Sequence, residues 1–263
     1  MSVLRLSVVE YLNARPLVVG LDRRADRFSV EFDVPSRCAA RLHEGSADLG
    51  TIPSVEYLRG DGYRVVPGVA IGCDGPVASV AIFSARPIER VRTLALDIHS
   101  RTSVALARIL CARYFSIAPE MRPMPQDPSA MLRACDAAVV IGDAALFFDH
   151  AAAGVEKIDL GDAWRAFTGL PFVFAFWAGR RGRVTPDDVR ALQAARDEAV
   201  ASPDAVASSF FPDDAARAAR GARYLRDNVI YGFSERQLQG VNRFYREAAE
   251  LSLVPGYREP EFY

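Results

Sequence analysis

The chain has 263 residues, 50% of them hydrophobic, which is enough for a sizeable core in one large domain or two lobes. The formal net charge of −1 offers no broad electrostatic attraction for nucleic acid or for an anionic membrane surface. The four cysteines are widely spaced and include no CxxC pair, which argues against a zinc knuckle or a disulfide framework and is typical of buried thiols in a reducing cytosol.

The N-terminal segment lacks the pattern of a signal peptide. Arg5, Glu10 and Arg15 interrupt its apolar residues. No run of about 18 uninterrupted apolar residues occurs in the sequence, so no membrane span is predicted. We therefore expect a cytoplasmic protein with no membrane partner.

The first 60 residues alternate predicted strands and helices. The strands are residues 3–9, 28–34 and 47–52, and the helices begin near residues 13, 35 and 54. This alternation predicts a parallel sheet with helices on its faces. Because ligands of such sheets bind beyond the carboxyl ends of the strands, the turns at residues 11–13 and 51–54 are expected on one rim.

The later elements predict a second series and a return. Strands are predicted at residues 63–66, 69–72, 77–84, 94–98, 121–124, 137–142 and 171–178, and helices at residues 102–114, 130–134, 144–148, 161–168, 189–200, 203–210, 213–228 and 234–251. Connections at about residues 77–85 and 171–178 are expected to join two lobes. We expect a first lobe of residues 1–84, a second lobe of residues 85–173 and a return to the first lobe over residues 174–263.

The residues at 94–110 are the stretch around which a site is expected. An apolar run, then small and polar residues, then a helical pattern predict a strand, a tight turn and a helix. Three hydroxyls and an arginine lie at the helix start: Ser100, Arg101, Thr102 and Ser103. Free N–H groups and the helix dipole favour a bound carboxylate or phosphate there. The alternative is a well-capped helix without a ligand.

A set of motifs, kept in order across most of residues 3–255, resembles one enzyme family. The motifs are Tyr11-Leu12-Asn13-x-x-Pro16-Leu17, DGPVAS at 74–79, SRTS at 100–103, IGDAAL at 141–146 and TGLPFVFA at 168–175. They resemble the chorismate dehydratases that open the futalosine route to menaquinone. The resemblance implies an α/β fold like that of type II periplasmic binding proteins. Each lobe would be a mixed, mainly parallel sheet flanked by helices, with the ligand cleft between the lobes.

The resemblance also implies a hydro-lyase that converts chorismate to 3-(1-carboxyvinyloxy)benzoate and water. The hydrogen leaves C3 and the hydroxyl leaves C4, so the ring becomes aromatic without a redox cofactor. Chorismate carries two carboxylates, and the sequence offers helix starts for anions but no cluster of metal ligands. We expect no cofactor, metal or nucleic-acid partner, and a homodimer is left open.

Nine residues of this sequence are expected at the site, and all but Ser54, which lies in the turn after a predicted strand, belong to the family motifs. Asn13 and Ser79 are expected nearest the chemistry, and Asn13 could hold the departing hydroxyl. The expected substrate-binding residues are Ser54, Ser100, Arg101, Thr102, Ser103, Gly142 and Asp143. Three have structural alternatives: Asn13 and Asp143 could be helix caps, and Ser79 could be an ordinary strand serine.

The matched motifs contain no strong base. His43 and His150 are expected near the surface. His99 adjoins the helix start, but the family usually has a small residue there, so we interpret it as a bystander. Glu56, one turn into a helix, is interpreted as a partner of the helix dipole. We hypothesise that a substrate carboxylate takes the C3 proton while the protein supplies orientation and electrostatic stabilisation.

Other functions are compatible with the same fold. One is the 1,4-dihydroxy-6-naphthoate synthase of the same pathway, whose first turn is rich in Cys, Pro and Asp rather than Tyr-Leu-Asn. Another is a non-catalytic protein that binds a small carboxylate, against which the missing export signal argues. A regulator's effector domain is a third, but no helix-turn-helix segment precedes the lobes. The fold cannot separate these functions, whereas the motifs favour the dehydratase.

Overall fold

The computed structural model describes residues 3–263, in which two five-stranded sheets are flanked by helices. The strands are β1 (Leu4–Val9), β2 (Phe28–Asp33), β3 (Leu49–Pro53), β4 (Tyr63–Cys73), β5 (Val80–Ser84), β6 (Thr93–Asp97), β7 (Glu120–Met124), β8 (Ala137–Ile141), β9 (Glu156–Asp159) and β10 (Phe172–Arg180). The α-helices are α1 (Pro35–Glu44), α2 (Thr102–Arg113), α3 (Pro128–Ala134), α4 (Gly142–Phe147), α5 (Leu160–Thr168), α6 (Pro186–Val200), α7 (Pro203–Phe210), α8 (Ala215–Asp227) and α9 (Glu235–Glu250). Short 3₁₀ helices over Leu12–Leu17 and Ser54–Leu58 follow β1 and β3.

The two sheets are built on the same plan. The first is ordered β2-β1-β3-β10-β4 and the second β7-β6-β8-β5-β9. In each sheet the first three strands are parallel, and the last two pairings are antiparallel. β5 and β10 take the same place in their sheets because each follows a crossing of the chain between sheets. The predicted two-lobe fold with mixed sheets is therefore confirmed, with more antiparallel pairing than expected.

One strand lies in a different sheet from the expected one. Val80–Ser84 falls within residues 1–84, which were expected in the first lobe, but it pairs with β8 and β9 of the second sheet. The chain crosses between the sheets over residues 74–79, where Gly75 has a φ of 120°. A run of apolar residues predicts a buried strand but not the sheet to which it belongs, because the interior of either sheet would bury it equally well.

β4 is one strand rather than the two predicted at residues 63–66 and 69–72. It runs through Pro67 and Gly68, opposite a shift of register in β10. Gly68 has a φ of 75°, a left-handed conformation that glycine adopts without a steric penalty. The irregularity lets this outermost strand of the sheet include a proline, which has no N–H to donate.

An aromatic cluster packs where β10 begins. The ring centroids of Trp164 and Phe172 are 5.3 Å apart, and those of Phe172 and Phe244 are 5.0 Å apart, both in edge-to-face geometry. Trp164 Nε1 donates a hydrogen bond to Pro171 O at 3.2 Å. These contacts join α5, the start of β10 and α9 into one buried unit behind the cleft.

The C-terminal helices pack on the first lobe. α6 starts at a capping box of Thr185 and Asp188, and α9 at one of Ser234 and Gln237. α6 and α7 contact the 3₁₀ helix Leu12–Leu17, so they support one wall of the cleft. No helix within residues 3–263 has the length and apolarity needed to cross a bilayer.

Candidate active site between the lobes

A partly enclosed cavity lies between the two sheets. Its lining consists of Val9, Tyr11, Asn13, Pro35, Pro53, Ile71, Val77, Val80, Ser100, Arg101, Thr102, Ser103, Ile141, Gly142, Phe174 and Ala175. Six of the nine residues predicted for the site are in this lining. The other three, Ser54, Ser79 and Asp143, lie behind it. We call this space the inner cavity.

The start of α2 forms one wall of the inner cavity. The helix begins at Thr102, with Arg101 as its N-cap, and within the described residues no side-chain hydrogen bond caps it. The well-capped helix, the alternative to an anion site, is therefore wrong. The N–H groups of the first turn and the positive end of the helix dipole remain available to an anion.

Ser100 has a buried hydroxyl without a hydrogen-bond partner among the described residues. The residue lines the inner cavity and is only 3% exposed. Buried hydroxyls are nearly always hydrogen-bonded, because leaving one unpaired costs free energy. Because Ser100 also borders the inner cavity, its unpartnered hydroxyl is available to a polar ligand group.

Thr102 and Ser54 join the two lobes. The Val55 N–H donates to Thr102 Oγ1 at 3.2 Å. Ser54 Oγ donates to Val173 O at 2.8 Å and lies 3.4 Å from Thr102 Oγ1. The Ser54 hydroxyl is thus engaged by the protein, and Thr102 both lines the cavity and accepts a hydrogen bond from the opposite wall.

Arg101 lies between the inner cavity and a more open outer cavity. Its guanidinium donates to Ile98 O at 3.1 Å, and its Nε is 3.8 Å from Glu56 Oε1. His99 lines only the outer cavity, where its Nδ1 is 3.4 Å from Ser36 Oγ. His99 is therefore outside the inner cavity, whereas the Arg101 charge borders both spaces.

The turn before α2 is supported by two residues that were not predicted for the site. Asp97 accepts hydrogen bonds from the His99 N–H at 2.8 Å and from Gln126 Nε2 at 2.9 Å. Gln126 also donates to Ile141 O at 3.0 Å, next to Gly142. Burial raises the pKa of the Asp97 carboxyl. The Asp97 side chain accepting from the N–H two residues on is an Asx-turn, a signal that was available in the sequence.

Asn13 and Ser79, the two predicted catalytic residues, share one neighbour. Asn13 lines the inner cavity from within its 3₁₀ helix, whose cap is Tyr11, so the capping alternative for Asn13 is wrong. Ser79 is 1% exposed, and its Oγ is 2.7 Å from the hydroxyl of Tyr224. The Asn13 side chain is near enough to that hydroxyl to lower its pKa, as an N–H donor does. Burial raises the pKa of Tyr224, so its hydroxyl stays protonated.

The segment that carries Ser79 is held in a strained conformation. Ala78 has a φ of 63°, a left-handed value that is rare for a residue with a Cβ. Its N–H donates to Asp159 Oδ2 at 2.6 Å, and its carbonyl accepts from Lys157 Nζ at 2.6 Å. Asp159 also accepts from the Val77 N–H at 3.0 Å. We call Lys157 and Asp159 the β9 clamp.

Gly142 and Asp143 form contacts between the lobes at the start of α4. Gly142 has a φ of 63°, and a Cβ on it would meet the ring of Tyr11 at 2.8 Å. The Asp143 carboxylate accepts from the Leu12 N–H at 3.2 and 3.3 Å. α4 is capped at Ile141, so the capping role for Asp143 is wrong. Burial raises the pKa of Asp143 to about 6.

The inner cavity combines apolar walls with hydroxyls, an amide and one cation. Within residues 3–263, its lining has two ionisable side chains, those of Arg101 and Tyr11. Burial raises the pKa of Tyr11, so that group is neutral. The described residues contain no group of three His, Cys, Asp or Glu side chains able to hold a metal. The arrangement suits a rigid anionic ligand and offers no side-chain base.

Comparison with known proteins identifies relatives of this chain. The profile of a family described as menaquinone biosynthesis matches residues 4–250. A chorismate dehydratase from Thermus thermophilus is 32% identical over 212 residues, which are 70% of this chain and 78% of that protein.

The fold is shared with solved structures of low sequence identity. A crystal structure of a protein from Archaeoglobus fulgidus has a TM-score of 0.74 at 16% identity, covering 95% of this chain and 98% of that one. The periplasmic aliphatic sulphonate binding protein SsuA from Escherichia coli has a TM-score of 0.65 at 16% identity, covering 97% and 94%. At these identities the likeness shows the fold alone. The family match spans both lobes and confirms the resemblance found in the motifs; this chain belongs to the menaquinone biosynthesis family.

Proposed function

We propose that the chain is a chorismate dehydratase. Family membership and the 32% identical relative named chorismate dehydratase support this activity. The observation that carries it is the inner cavity, where an uncapped helix start, Arg101 and the unpartnered Ser100 hydroxyl face apolar walls. A dianionic ring compound matches this combination of anion sites and apolar surface.

The reaction eliminates water from the ring. The C3–H and C4–O bonds break, the electrons of the C3–H bond form the new ring double bond, and the proton and hydroxide leave as water. The C3 hydrogen is vinylogous to the ring carboxylate, so negative charge spreads onto that carboxylate as the proton departs. The aromatic product supplies the driving force, and no electrons are exchanged with a cofactor.

The start of α2 would hold one substrate carboxylate. Ser100, Arg101 and Ser103 provide two hydroxyls and a permanent charge beside the N–H groups of the first helical turn. Gly142, across the cavity, allows backbone to approach the ligand closely. Such fixed donors stabilise developing charge without reorganising during the reaction.

The proton acceptor would be a carboxylate of the substrate itself. Within the described residues, the inner cavity is lined by no Asp, Glu, His or Lys. Asn13, whose amide can donate and accept, would hold the C4 hydroxyl as it leaves. The protein would then contribute orientation and electrostatics, which are large terms in catalysis.

The two lobes would hinge about their crossings. We assign residues 74–79 and 169–171 as hinges, because the chain passes between the sheets there. Ser54, Thr102 and Asp143 would then stabilise the closed arrangement rather than contact substrate alone. We also propose a cytoplasmic location, as expected for an enzyme of a biosynthetic family.

The decisive experiment is incubation of the purified protein with chorismate. We expect the ultraviolet absorbance of the cyclohexadiene to fall and a product lighter by one water to appear in the mass spectrum. Binding of chorismate by calorimetry without turnover would instead favour a binding protein. If the protein neither bound chorismate nor turned it over, the proposed substrate would be wrong.

A further inference from the structure

One side chain of the second lobe connects both walls that this lobe gives to the inner cavity. Gln126 lies between β7 and α3, and its Nε2 donates to Asp97 Oδ2 at 2.9 Å and to Ile141 O at 3.0 Å. Asp97 ends β6, just before the turn that carries Ser100. Ile141 ends β8, just before Gly142. Ser100 and Gly142 both line the inner cavity, so one amide links the start of α2 with the start of α4.

The Gln126 amide lies where the pairing of β6 with β8 stops. The two strands are in register as far as Leu96 and Val139, short of the last residue of each strand. β6 is between β7 and β8 in the sheet, so the Gln126 side chain reaches from beyond β7, over the end of β6, to β8. Where the backbone bonds of a parallel pair stop, other contacts must set the separation of the strands. The two hydrogen bonds of Gln126 are such contacts.

The orientation of the Gln126 amide follows from its partners. A carboxylate and a carbonyl oxygen only accept hydrogen bonds, so the NH₂ group, which has two hydrogens, faces Asp97 and Ile141. Asp97 is 1% exposed, and its Oδ1 accepts from the His99 N–H at 2.8 Å. The Asp97 carbonyl accepts from the Ser100 N–H at 3.1 Å. A displacement of Asp97 would therefore move the turn that carries Ser100.

We propose that Gln126 is a positioning residue that sets the separation of the α2 start from Gly142 across the inner cavity. The inference rests on the proposed function, in which the α2 start holds a substrate carboxylate and Gly142 lets backbone approach the ligand from the other side. Gln126 does not line the cavity and acts through Asp97 and Ile141. A rigid ring is held productively at only one separation of the walls, because catalytic geometry tolerates errors of about 0.5 Å.

The first test compares two glutamines. Gln126→Met keeps the length of the side chain but removes both donors, and we expect kcat/KM for chorismate to fall by about tenfold or more. The control is Gln193→Met. Gln193 is also half-buried, and its Nε2 donates to Pro67 O at 2.8 Å, in the first lobe and outside the cavity lining. Both variants should lower Tm, but Gln193→Met should keep kcat/KM within about twofold of wild type. Equal kcat/KM in Gln126→Met and wild type would overturn the proposal.

A double-mutant cycle tests the hydrogen bond between Gln126 and Asp97. In the wild type, Asp97→Asn turns an NH₂ group towards an N–H donor, either that of Gln126 or that of His99, so kcat/KM should fall. In Gln126→Glu two carboxylates face each other at neutral pH. There Asp97→Asn removes the repulsion and supplies a donor, so kcat/KM should rise. A change in the same direction in both backgrounds would show that the proposal is wrong.

Crystal structures of the variants separate this inference from the activity. The distance between the Cα atoms of Ser100 and Gly142 should differ from that of wild type by about 0.5 Å or more in Gln126→Met and stay the same in Gln193→Met. If it changes in a protein that does not dehydrate chorismate, the proposed function fails and the role of Gln126 in setting the cavity walls stands. An unchanged distance in Gln126→Met would refute that role.

Discussion

Single side chains at the cleft have two different tasks. Ser100 and Asn13 face the inner cavity, and Ser100 Oγ has no protein partner in the described residues. The Asp143 carboxylate instead accepts a hydrogen bond across the two lobes, and the Ser54 hydroxyl donates to Val173 O within the first lobe. A hydroxyl or carboxyl at the cleft is therefore not by itself a ligand-binding group, and its partners decide its task.

Ser100→Ala should separate binding from stability. The hydroxyl has no partner, so we expect the free energy of unfolding to change by less than about 0.5 kcal/mol or to rise. Chorismate should bind about tenfold more weakly, which corresponds to the loss of about one hydrogen bond to a charged group. Thermal unfolding and calorimetric titration measure the two quantities. Ser7→Ala is the control, because Ser7 is also buried but lies in β1, outside the cavity lining; unchanged affinity in Ser100→Ala would contradict the assignment.

Asp143→Asn should stabilise the protein at neutral pH. The folded-state pKa is raised to about 6 from an ordinary 3.8, so the folded state resists ionisation. The free energy of unfolding therefore has its full contribution from protonated Asp143 below about pH 4. That contribution is lost as the pH rises through 6, and the loss is at most about 3 kcal/mol. The amide keeps an acceptor for the Leu12 N–H without the charge. Denaturant unfolding from pH 4 to 8 should show a gain for Asp143→Asn that grows with pH.

Asp136→Asn should have the opposite effect on stability at neutral pH. Its backbone partners, Arg92 N–H and Thr93 N–H, hold the pKa of Asp136 below its ordinary value. The ionised Asp136 carboxylate stabilises the fold above its ordinary pKa, and this stabilisation is lost as the pH falls through the lower pKa of the folded state. Asp136→Asn should therefore lower the free energy of unfolding at pH 7. The same pH dependence in both variants would refute the interpretation of Asp143.

At the level of elements, the β9 clamp determines the shape of the first crossing. Lys157 and Asp159 lie two residues apart on the strand that pairs with β5. Both form hydrogen bonds with the backbone of Ala78. A left-handed residue other than glycine costs about 1–3 kcal/mol, so it persists only where such contacts enforce it. Lys157, the only lysine of the sequence, is thus used to hold a backbone turn.

Asp159→Asn should lower turnover, and Ala78→Gly should restore part of it. Weakening the clamp lets residues 77–79 relax and misplaces Ser79, for which we expect about a tenfold loss of kcat. Glycine adopts the same φ without strain, so the double variant should recover at least about threefold of that loss. Steady-state kinetics on the single and double variants measure this. The control is Asp136→Asn, which also removes the charge from an acceptor of two backbone N–H groups, in the second lobe. No recovery with Ala78→Gly would count against the clamp.

For the whole molecule, the hydrogen bonds across the cleft bias the lobes towards closure. Val55 N–H reaches Thr102 Oγ1, and Leu12 N–H reaches the Asp143 carboxylate. In an open form these groups would form hydrogen bonds with water instead. Each bond across the cleft therefore stabilises closure only by the difference between its free energy and that of the bonds to water. A small change at one of these positions can shift the population of closed molecules.

Thr102→Val should favour the open form without ligand. The variant leaves the buried Val55 N–H unpaired only when the lobes are closed, a cost of about 1–3 kcal/mol. We expect a larger radius of gyration by small-angle X-ray scattering than for the wild type. Thr93→Val is the matched control, because Thr93 Oγ1 accepts the Asp136 N–H at 2.9 Å within the second lobe. Identical scattering of Thr102→Val and wild type would argue against this role.

The sequence determined the local features of the site. Hydrophobic periodicity predicted the strand, turn and helix that place Ser100 and Thr102 at a helix start, because this signal depends on neighbours along the chain. The order of motifs identified the family, and the family implied the two-lobe fold. Asn13 and Gly142, which border the inner cavity, were found in the same way.

Only the tertiary structure decided which groups meet across the cleft. Tyr224 and Ser79 are 145 residues apart, and no helical pattern in α8 indicates that a hydroxyl reaches the crossing segment. The sheet of Val80–Ser84 and the partner of Asp143 were likewise unpredictable, since pairing and burial depend on residues distant in sequence. Periodicity specifies the face of an element; the packing of both lobes specifies what that face touches, and therefore which side chains remain free for a ligand.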